Sequence, residues 1–499
     1  MKVLELFGKA GLSYPPETGD IEIDQIVTDS RRVRPGCLFL CIKGLHTDGH
    51  GYVDDAIKAG AAVIVAERVR DVCVGGAAAY IMLENTRKAA ALLYNAFYGN
   101  PVEKLKIIGV TGTNGKTSVC FLLTELFRAV GYRCGLVGTV CCQSADGVAL
   151  SPQCVGSLAN MTTPDPEELY RMLSQMVQDG VEYVFMEVSS HALALGKVDA
   201  ICFDTAVFTN LTQDHLDFHH TMEEYFLAKQ RLFDMCRRAV INRDDEAGQR
   251  LLSTVRCPAV SVSLTEGDYC ARDRENRGID GSAFRWRTPT ESIGVTLPIP
   301  GEFSVMNALM AASVAAEYGI SSDLIRQTLA KARGAEGRME RLLLAEDAGF
   351  SVIIDYAHTP DALEKLLQSV RGFRRQGERI VLLFGCGGDR DRDKRKRMGQ
   401  IASQLADLVI VTSDNSRSEH PEQIIADILK GIDKERPYTV VADRRPAIET
   451  AVRSAKAGDI LVLAGKGHER YEIVGDRRLP FDEREIVMDS LRRRRSAKA

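Results

Sequence analysis

Leu105-Lys106-Ile107-Ile108-Gly109-Val110-Thr111-Gly112-Thr113-Asn114-Gly115-Lys116-Thr117 decides how this chain is read. The apolar run Leu105–Val110 predicts a buried strand, and the periodic apolar residues from Thr117 to Ala129 predict a helix. The turn between them holds two glycines, a lysine and a threonine. Glycine lets backbone N–H groups approach phosphate oxygens, and a helix N-terminus adds partial positive charge. In such a loop Lys116 reaches the β- and γ-phosphates, and the Thr117 hydroxyl suits Mg²⁺. The strict spacing Gly-x-x-x-x-Gly-Lys-Ser/Thr is not met. Val110 stands where the first glycine belongs, and Gly109 is one position early. An ordinary strand-to-helix turn is the alternative reading.

Outward from this loop the same alternation continues. Ala61–Ala66, Tyr183–Val188, Thr205–Thr209, Ser351–Asp355, Ile380–Phe384, Leu408–Thr412 and Ile460–Ala464 predict buried strands. Pro166–Gln178, Val305–Tyr318 and Pro360–Val370 carry helical periodicity. Apolar runs alternating with amphipathic helices point to parallel α/β units. Breaks at Asn100-Pro101 and in the glycine-bearing 331–339 stretch suggest three pieces: 1–100, 101–336 and 337–499. A chain of 499 residues is long enough for about three domains.

Composition excludes several classes. Hydrophobic residues at 45% supply several cores, which rules out a mostly disordered chain. The 64 basic and 68 acidic residues leave a net charge of -4, so there is no basic field for coating nucleic acid. No run of about 18 apolar residues predicts a membrane span, and the N-terminus lacks the apolar core of a signal peptide. The thirteen cysteines are scattered, with no Cys-x-x-Cys pair. They are expected to be reduced packing residues in a cytoplasmic protein.

Several residues carry possible chemistry. Glu187 ends a predicted strand, where open α/β sheets bind ligands. With Thr117 it offers the oxygen ligands that Mg²⁺ prefers. His215, near Asn210 and Asp214, reads equally as a metal ligand or as a hydrogen-bonded loop histidine. Lys229, read alone, is a surface lysine in a helical stretch. Ser30, Arg31, Thr162, Thr163 and Ser190 offer donors, but each alone is an ordinary turn or capping residue. Arg417 can grip a carboxylate bidentately or pair with Glu419 on the surface. Arg390 is a second strand-end cation, and Glu469 can accept from an ammonium.

Thr111–Thr117 resembles the phosphate loop of the Mur ligase superfamily, the ATP-dependent amide-forming ligases of peptidoglycan synthesis. The resemblance extends in order along nearly the whole chain. It runs through Asp29-Ser30-Arg31, Met161–Pro164, Glu187–His191, Thr209–Leu211, Asp214–Asp217, Ala228-Lys229 and Gly337–Glu340. It continues through Asp355–Pro360, Gly385–Arg390, Asp414–Arg417 and Gly465–Glu469. The resemblance implies a three-domain α/β architecture. The centre would be a parallel sheet of the phosphate-loop ATPase kind, between an α/β N-terminal domain for the uridine nucleotide and a Rossmann-like C-terminal domain for the amino acid.

The same resemblance implies roles for residues. ATP would be bound by Gly112, Thr113, Asn114, Gly115, Lys116, Thr117, Asn307, Arg338, Asp355 and His358. Because these lie in two pieces, catalysis would depend on domain closure. Mg²⁺ would be held by Thr117, Glu187 and His215, with Lys229 carbamylated by CO₂ as an anionic partner. Lys116, Glu187, His215 and Lys229 would be the catalytic set. UDP-MurNAc-L-Ala-D-Glu would meet Ser30, Thr162, Thr163, Ser190 and Lys197, the last replacing a family arginine. The family pattern for meso-diaminopimelate is Asp-Asn-Pro-Arg; here Asp414, Asn415 and Arg417 surround Ser416. Arg390, Gly465 and Glu469 would complete that site. The implied reaction adds the third residue of the stem peptide through an acyl phosphate. L-lysine as the added amino acid, a folylpolyglutamate synthase-like ligase and a nucleotide-binding regulator without ligase activity are the rivals. A monomer without nucleic-acid or membrane partners is expected.

Overall fold

The computed structural model describes residues 1–14, 21–44, 47–68, 79–147, 149–150, 161–344 and 348–496. These fall into two compact units, Met1–Val262 with Ser313–Tyr318, and Ser263–Ala312 with Gly319–Ala499.

The first unit begins with four parallel strands in spatial order: β1 (Gln25–Val27), β2 (Cys37–Leu40), β3 (Val63–Ala66) and β4 (Ala79–Met82). Alternate residues of β2 face opposite ways: Leu38 and Leu40 join one apolar cluster, Cys37 and Phe39 another. That is the two-residue period of a strand buried on both faces.

The larger sheet of this unit is built from β5 (Lys106–Thr111), β6 (Cys134–Val137), β7 (Cys142–Gln143), β8 (Tyr183–Glu187), β9 (Thr205–Phe208), β10 (Ala239–Asn242) and β11 (Ala259–Ser263). Their spatial order is β11-β10-β9-β5-β8-β6-β7, parallel except for β7. From Ile107 onward β5 is buried, as a central parallel strand must be. The helix Pro166–Gln178 shows why its segment folds as it does. Proline occupies the first turn, Glu167 and Glu168 favour the positive end of the dipole, and Leu169, Met172, Leu173 and Met176 make one buried stripe.

The second unit holds an antiparallel meander of β12 (Tyr269–Asn276), β13 (Ser282–Arg287) and β14 (Ser292–Leu297). Its main sheet comprises β15 (Glu340–Arg341), β16 (Ser351–Asp355), β17 (Arg379–Phe384), β18 (Leu408–Val411), β19 (Tyr438–Val440) and β20 (Asp459–Ala464). The order is β15-β16-β20-β17-β18-β19, with only β15 antiparallel. Ile353, Leu382 and Val462 face one core, and Val352, Leu383 and Leu461 the other. A hairpin of β21 (Tyr471–Val474) and β22 (Arg477–Pro480) follows. The predicted strands and helices all occur, with ends shifted by a few residues at most. Among the described residues no helix is long and apolar enough to cross a membrane. Eleven cysteines are free thiols; Cys73 and Cys154 lie outside the described residues.

Candidate active site

In the first unit the loop after β5 folds back onto the loop after β9. Gly112 has φ +146°, and a side chain there would collide with the Thr209 hydroxyl. At Gly109 the constraint comes from the core, because an added Cβ would meet the Phe203 ring at 2.8 Å. So Gly109 serves strand packing, and Gly112 provides the close approach that the motif's usual first glycine would allow. Asn210 fastens the loop by accepting from Asn114 N at 3.0 Å through Oδ1 and from Thr113 N at 2.8 Å through its carbonyl. Thr209 Oγ1 donates to Asn114 O at 2.6 Å. Gly115, at φ +88°, starts the helix Lys116–Val130.

Two lysine amino groups converge here. Lys116 Nζ donates to Gly112 O and Thr113 O, both at 2.9 Å. Lys229 Nζ donates to the same Gly112 O at 2.8 Å and lies 4.4 Å from the Tyr225 ring centroid. Lys229 is 2% exposed, so it is no surface lysine. Burial, and then the Lys116 charge, push its pKa well below the usual lysine range.

Glu187 ends β8, buried. Its Oε1 accepts from Thr139 N at 2.9 Å and its Oε2 from Thr139 Oγ1 at 3.1 Å. A side chain at Gly138 would collide with this carboxylate. Thr139 Oγ1 also lies 3.1 Å from Thr162 Oγ1. Thr163 is buried and bridges the chain, donating to Glu187 O at 2.9 Å and accepting from Ser189 N at 3.0 Å. Buried Ser190 Oγ lies 2.9 Å from His219 Nε2. The His191 ring packs edge-on to His215 at 4.9 Å and to His219 at 5.5 Å. Burial lowers the pKa of His215 and takes His219 to about 4, so both are neutral imidazoles near pH 7. Ser30 opens a short 3₁₀ turn capped by Asp29, whose carboxylate also pairs with Arg31. Lys197 Nζ pairs with Asp165 Oδ1 at 2.7 Å.

Mg²⁺ takes oxygen ligands, usually one or two carboxylates completed by phosphate and water. Thr117 and Glu187 are of that type. Among the described residues no three His, Cys, Asp or Glu side chains form a ready-made metal centre. A donor set this sparse fits an ion whose coordination a nucleotide completes.

In the second unit the predicted residues cluster beyond the C-terminal ends of parallel strands. Asp355 ends β16 and accepts from Met339 N at 2.7 Å and Ala357 N at 2.8 Å. The Arg338 guanidinium lies 5.0 Å from the Tyr356 ring, and its buried Nε has no hydrogen-bond partner among the described residues. His358 Nδ1 lies 2.9 Å from Tyr356 O. Asn307 is buried in the helix Glu302–Glu317.

Beyond β18, Asp414 is buried beside Lys466, Nζ to Oδ1 3.1 Å. Burial alone would raise its pKa, but Lys466 and Arg444 more than offset this and hold it at about 2. Asn415 Oδ1 accepts from Lys466 Nζ and Ile473 N, both at 3.0 Å. Its amide is thereby fixed, and Nδ2 donates to Glu469 Oε2 at 2.8 Å. Arg417, at φ +51°, donates to Gly388 O at 2.8 Å. Glu419 is taken by Arg395 at 2.8 Å and Arg392 at 3.3 Å. Among the described residues no carboxylate forms an ion pair with Arg417. Gly465 has φ +114°, and Arg390 is exposed.

Three family profiles match in order: "Mur ligase family, catalytic domain" over residues 22–98, "Mur ligase middle domain" over 110–315, and "Mur ligase, glutamate ligase domain" over 337–467. A UDP-N-acetylmuramoyl-L-alanyl-D-glutamate--2,6-diaminopimelate ligase of Syntrophomonas wolfei is 41% identical, covering 99% of both chains. The chain belongs to the Mur ligase family. A ligase of the same description from Clostridioides difficile is 42% identical, over 95% of this chain and 96% of that one. A solved structure of such a ligase is 31% identical, with TM-score 0.71, covering 99% of this chain and all of the other. A folylpolyglutamate synthase of Mycobacterium tuberculosis, solved with ADP and AMPPCP, shares the fold at TM-score 0.60 and 21% identity, over 76% of this chain and 92% of that one.

Some Mur ligase site features escaped the sequence reading. Thr139 clasps Glu187, yet it lies 48 residues away and carries no motif. Lys466 sits inside a quoted motif, but its partnership with Asp414 and Asn415 spans about 50 residues. Two glycines before Thr139, at 135 and 138, were the available signal.

Proposed function

We propose that this Mur ligase is an ATP-dependent ligase that joins meso-diaminopimelate to UDP-MurNAc-L-Ala-D-Glu, forming the UDP-MurNAc-tripeptide of peptidoglycan synthesis. In this reading ATP's γ-phosphoryl group passes to the D-Glu side-chain carboxylate and makes an acyl phosphate. The amine of diaminopimelate attacks the acyl carbon, loses its proton, and phosphate leaves. The loop amides of 112–117 and Lys116 hold the transferring phosphates and offset their charge. Bound Mg²⁺ would neutralise phosphate charge, with Thr117, Glu187 and His215 as its protein ligands. Asn307, Arg338, Asp355 and His358 are assigned to ATP. Ser30, Thr162, Thr163, Ser190 and Lys197 are assigned to the uridine substrate.

Lys229 is assigned a carbamate. Addition to CO₂ requires a neutral amine, and the depressed pKa of Lys229 supplies one. The domain assignment is 1–100 for the uridine nucleotide, 101–336 for ATP and Mg²⁺, and 337–499 for the amino acid. The protein acts in the cytoplasm as a monomer, without nucleic-acid or membrane partners.

One observation carries the choice of amino acid. Arg417 is anchored by a backbone carbonyl, forms no ion pair with a carboxylate of the described chain, and stands next to the Asn415–Glu469 pair. A guanidinium so placed suits the distal carboxylate of diaminopimelate, and the acidic partner suits its ammonium. Lysine has no such carboxylate. The test incubates the purified protein with UDP-MurNAc-L-Ala-D-Glu, ATP, Mg²⁺ and one amino acid at a time. Release of ADP with meso-diaminopimelate and not with L-lysine is expected. No ADP release with any amino acid would overturn the ligase reading, and a preference for lysine would overturn the specificity.

A further inference from the structure

We infer that Cys236 and Cys257 form a dithiol site that closes reversibly to a disulfide under two-electron oxidants. Their sulfurs lie 3.5 Å apart, although the residues are 21 positions apart in sequence. The pair sits where β10 and β11 begin. Ala239 of β10 is in register with Ala259 of β11, and the cysteines precede these residues by three and two positions. Adjacent strands run about 4.8 Å apart, inside the range of roughly 4.4–6.8 Å between Cα atoms that a disulfide accepts. Closure therefore needs side-chain rotation and little backbone movement.

Access favours the same pair. Seven of the eleven described cysteines are buried, whereas Cys236 and Cys257 are both partly open to solvent. Cys202 is exposed nearby, on the segment whose Phe203 pairs with Cys236 in a parallel bridge. It is the natural competitor for oxidant. Burial, and then the neighbouring Cys257 sulfur, push the Cys236 thiol up, so it keeps its proton at neutral pH.

With an azodicarboxamide oxidant the step balances. One of the two sulfurs adds to an azo nitrogen, and the other sulfur then attacks the first. The S–N bond breaks and an S–S bond forms. Both thiol protons end on nitrogen, and the azo compound leaves reduced to the hydrazine. The closed loop would enclose β10 and the helix Glu246–Thr254. The phosphate loop lies at the other end of the parallel strands, on the order of 13 Å away for a four-residue strand at about 3.3 Å per residue. Closure leaves that loop untouched.

The test treats the full-length protein with about one equivalent of diamide, alkylates the remaining thiols and maps tryptic peptides by mass spectrometry. The expected product links Leu232–Arg237 to Cys257–Arg272, with a loss of about 2 Da, and dithiothreitol reverses it. Cys257→Ser should abolish that product. Nucleotide-dependent activity of the oxidised protein should stay within about twofold of the reduced protein, as expected for a modification beyond the reach of the loop. Recovery of both cysteines as alkylated thiols after the oxidant is consumed would overturn the inference. So would a Cys202–Cys236 link in place of the expected one.

Discussion

Replacing Lys466 with methionine tests the electrostatic design of the amino-acid site. The Lys466 side chain is wholly buried, and its ammonium serves Asp414, Asn415 and the Tyr471 carbonyl at 3.0–3.1 Å. Methionine keeps most of the apolar volume and removes the charge. Asp414 would then be left buried with Arg444 as its main remaining cation among the described residues. Removing one partner of a buried ion pair costs about 3–5 kcal/mol. The surviving Arg444 places the loss near the lower end, about 3 kcal/mol.

For the C-terminal part of the chain a loss of about 3 kcal/mol lowers the melting temperature by roughly 6–12 °C. Because the folded pKa of Asp414 is depressed, its contribution is complete above the unfolded value of 3.8 and disappears as pH falls through about 2. In the variant, burial acts with less opposition, and Asp414 takes up its proton at higher pH. The deficit should be largest at about pH 7–8 and narrow below about pH 5. Calorimetric melts across this range are the assay, with Asp414→Asn added to Lys466→Met as the rescue. The double variant should recover at least about half of the loss, since no buried charge is then left unpaired. A Lys466→Met melting temperature within about 1 °C of the wild type at about pH 7.5 would refute this account.

Arg417→Ala should raise KM for diaminopimelate by roughly 10–100-fold, the worth of a charged hydrogen bond, with KM for ATP unchanged. An unaltered diaminopimelate KM would remove Arg417 from the specificity site. Lys116→Ala should lower turnover by at least about 100-fold, the usual scale for losing a charge that offsets the transition state. Undiminished ADP release would exclude it from the mechanism. Intact mass measured gently in bicarbonate should show about 44 Da added near Lys229, the mass of CO₂ in a carbamate. An active enzyme with unmodified Lys229 would count against the carbamate alone. Gly138→Ala puts a methyl group into the Glu187 carboxylate and should raise the Mg²⁺ concentration needed for half-maximal turnover. Titrating Mg²⁺ against ADP release reads this directly, and an unchanged midpoint would mean that the clasp has no role in metal binding.

Much of the framework was legible because parallel strands buried on both faces appear as unbroken apolar runs. Ile380–Phe384 and Ile460–Ala464 needed no partner to be recognised, and each became a central strand. The loop was legible for another reason: backbone contact with phosphate demands glycine beside a helix start, and Gly115-Lys116-Thr117 is contiguous. Lys229 was not legible in this way. Nothing in Ala228-Lys229-Gln230 distinguishes a buried lysine from a surface one, because burial comes from Tyr225 and from a loop more than a hundred residues earlier.

By itself, then, the sequence determined the parallel α/β layers, the phosphate loop, and the strand ends where ligand residues lie, since local periodicity and contiguous turns encode all three. Only the tertiary structure decided how charges meet. It set Lys116 and Lys229 on one carbonyl, closed Thr139 over Glu187, and gave Glu419 to Arg395, leaving Arg417 without a carboxylate partner among the described residues. Lys116 reaches that carbonyl from four positions away, but Lys229 comes from 117 positions away, Thr139 is 48 from Glu187, and Glu419 is 24 from Arg395. A pKa, an ion pair or a clasp depends on distance in space and on exclusion of water, and neither is written in the order of the residues.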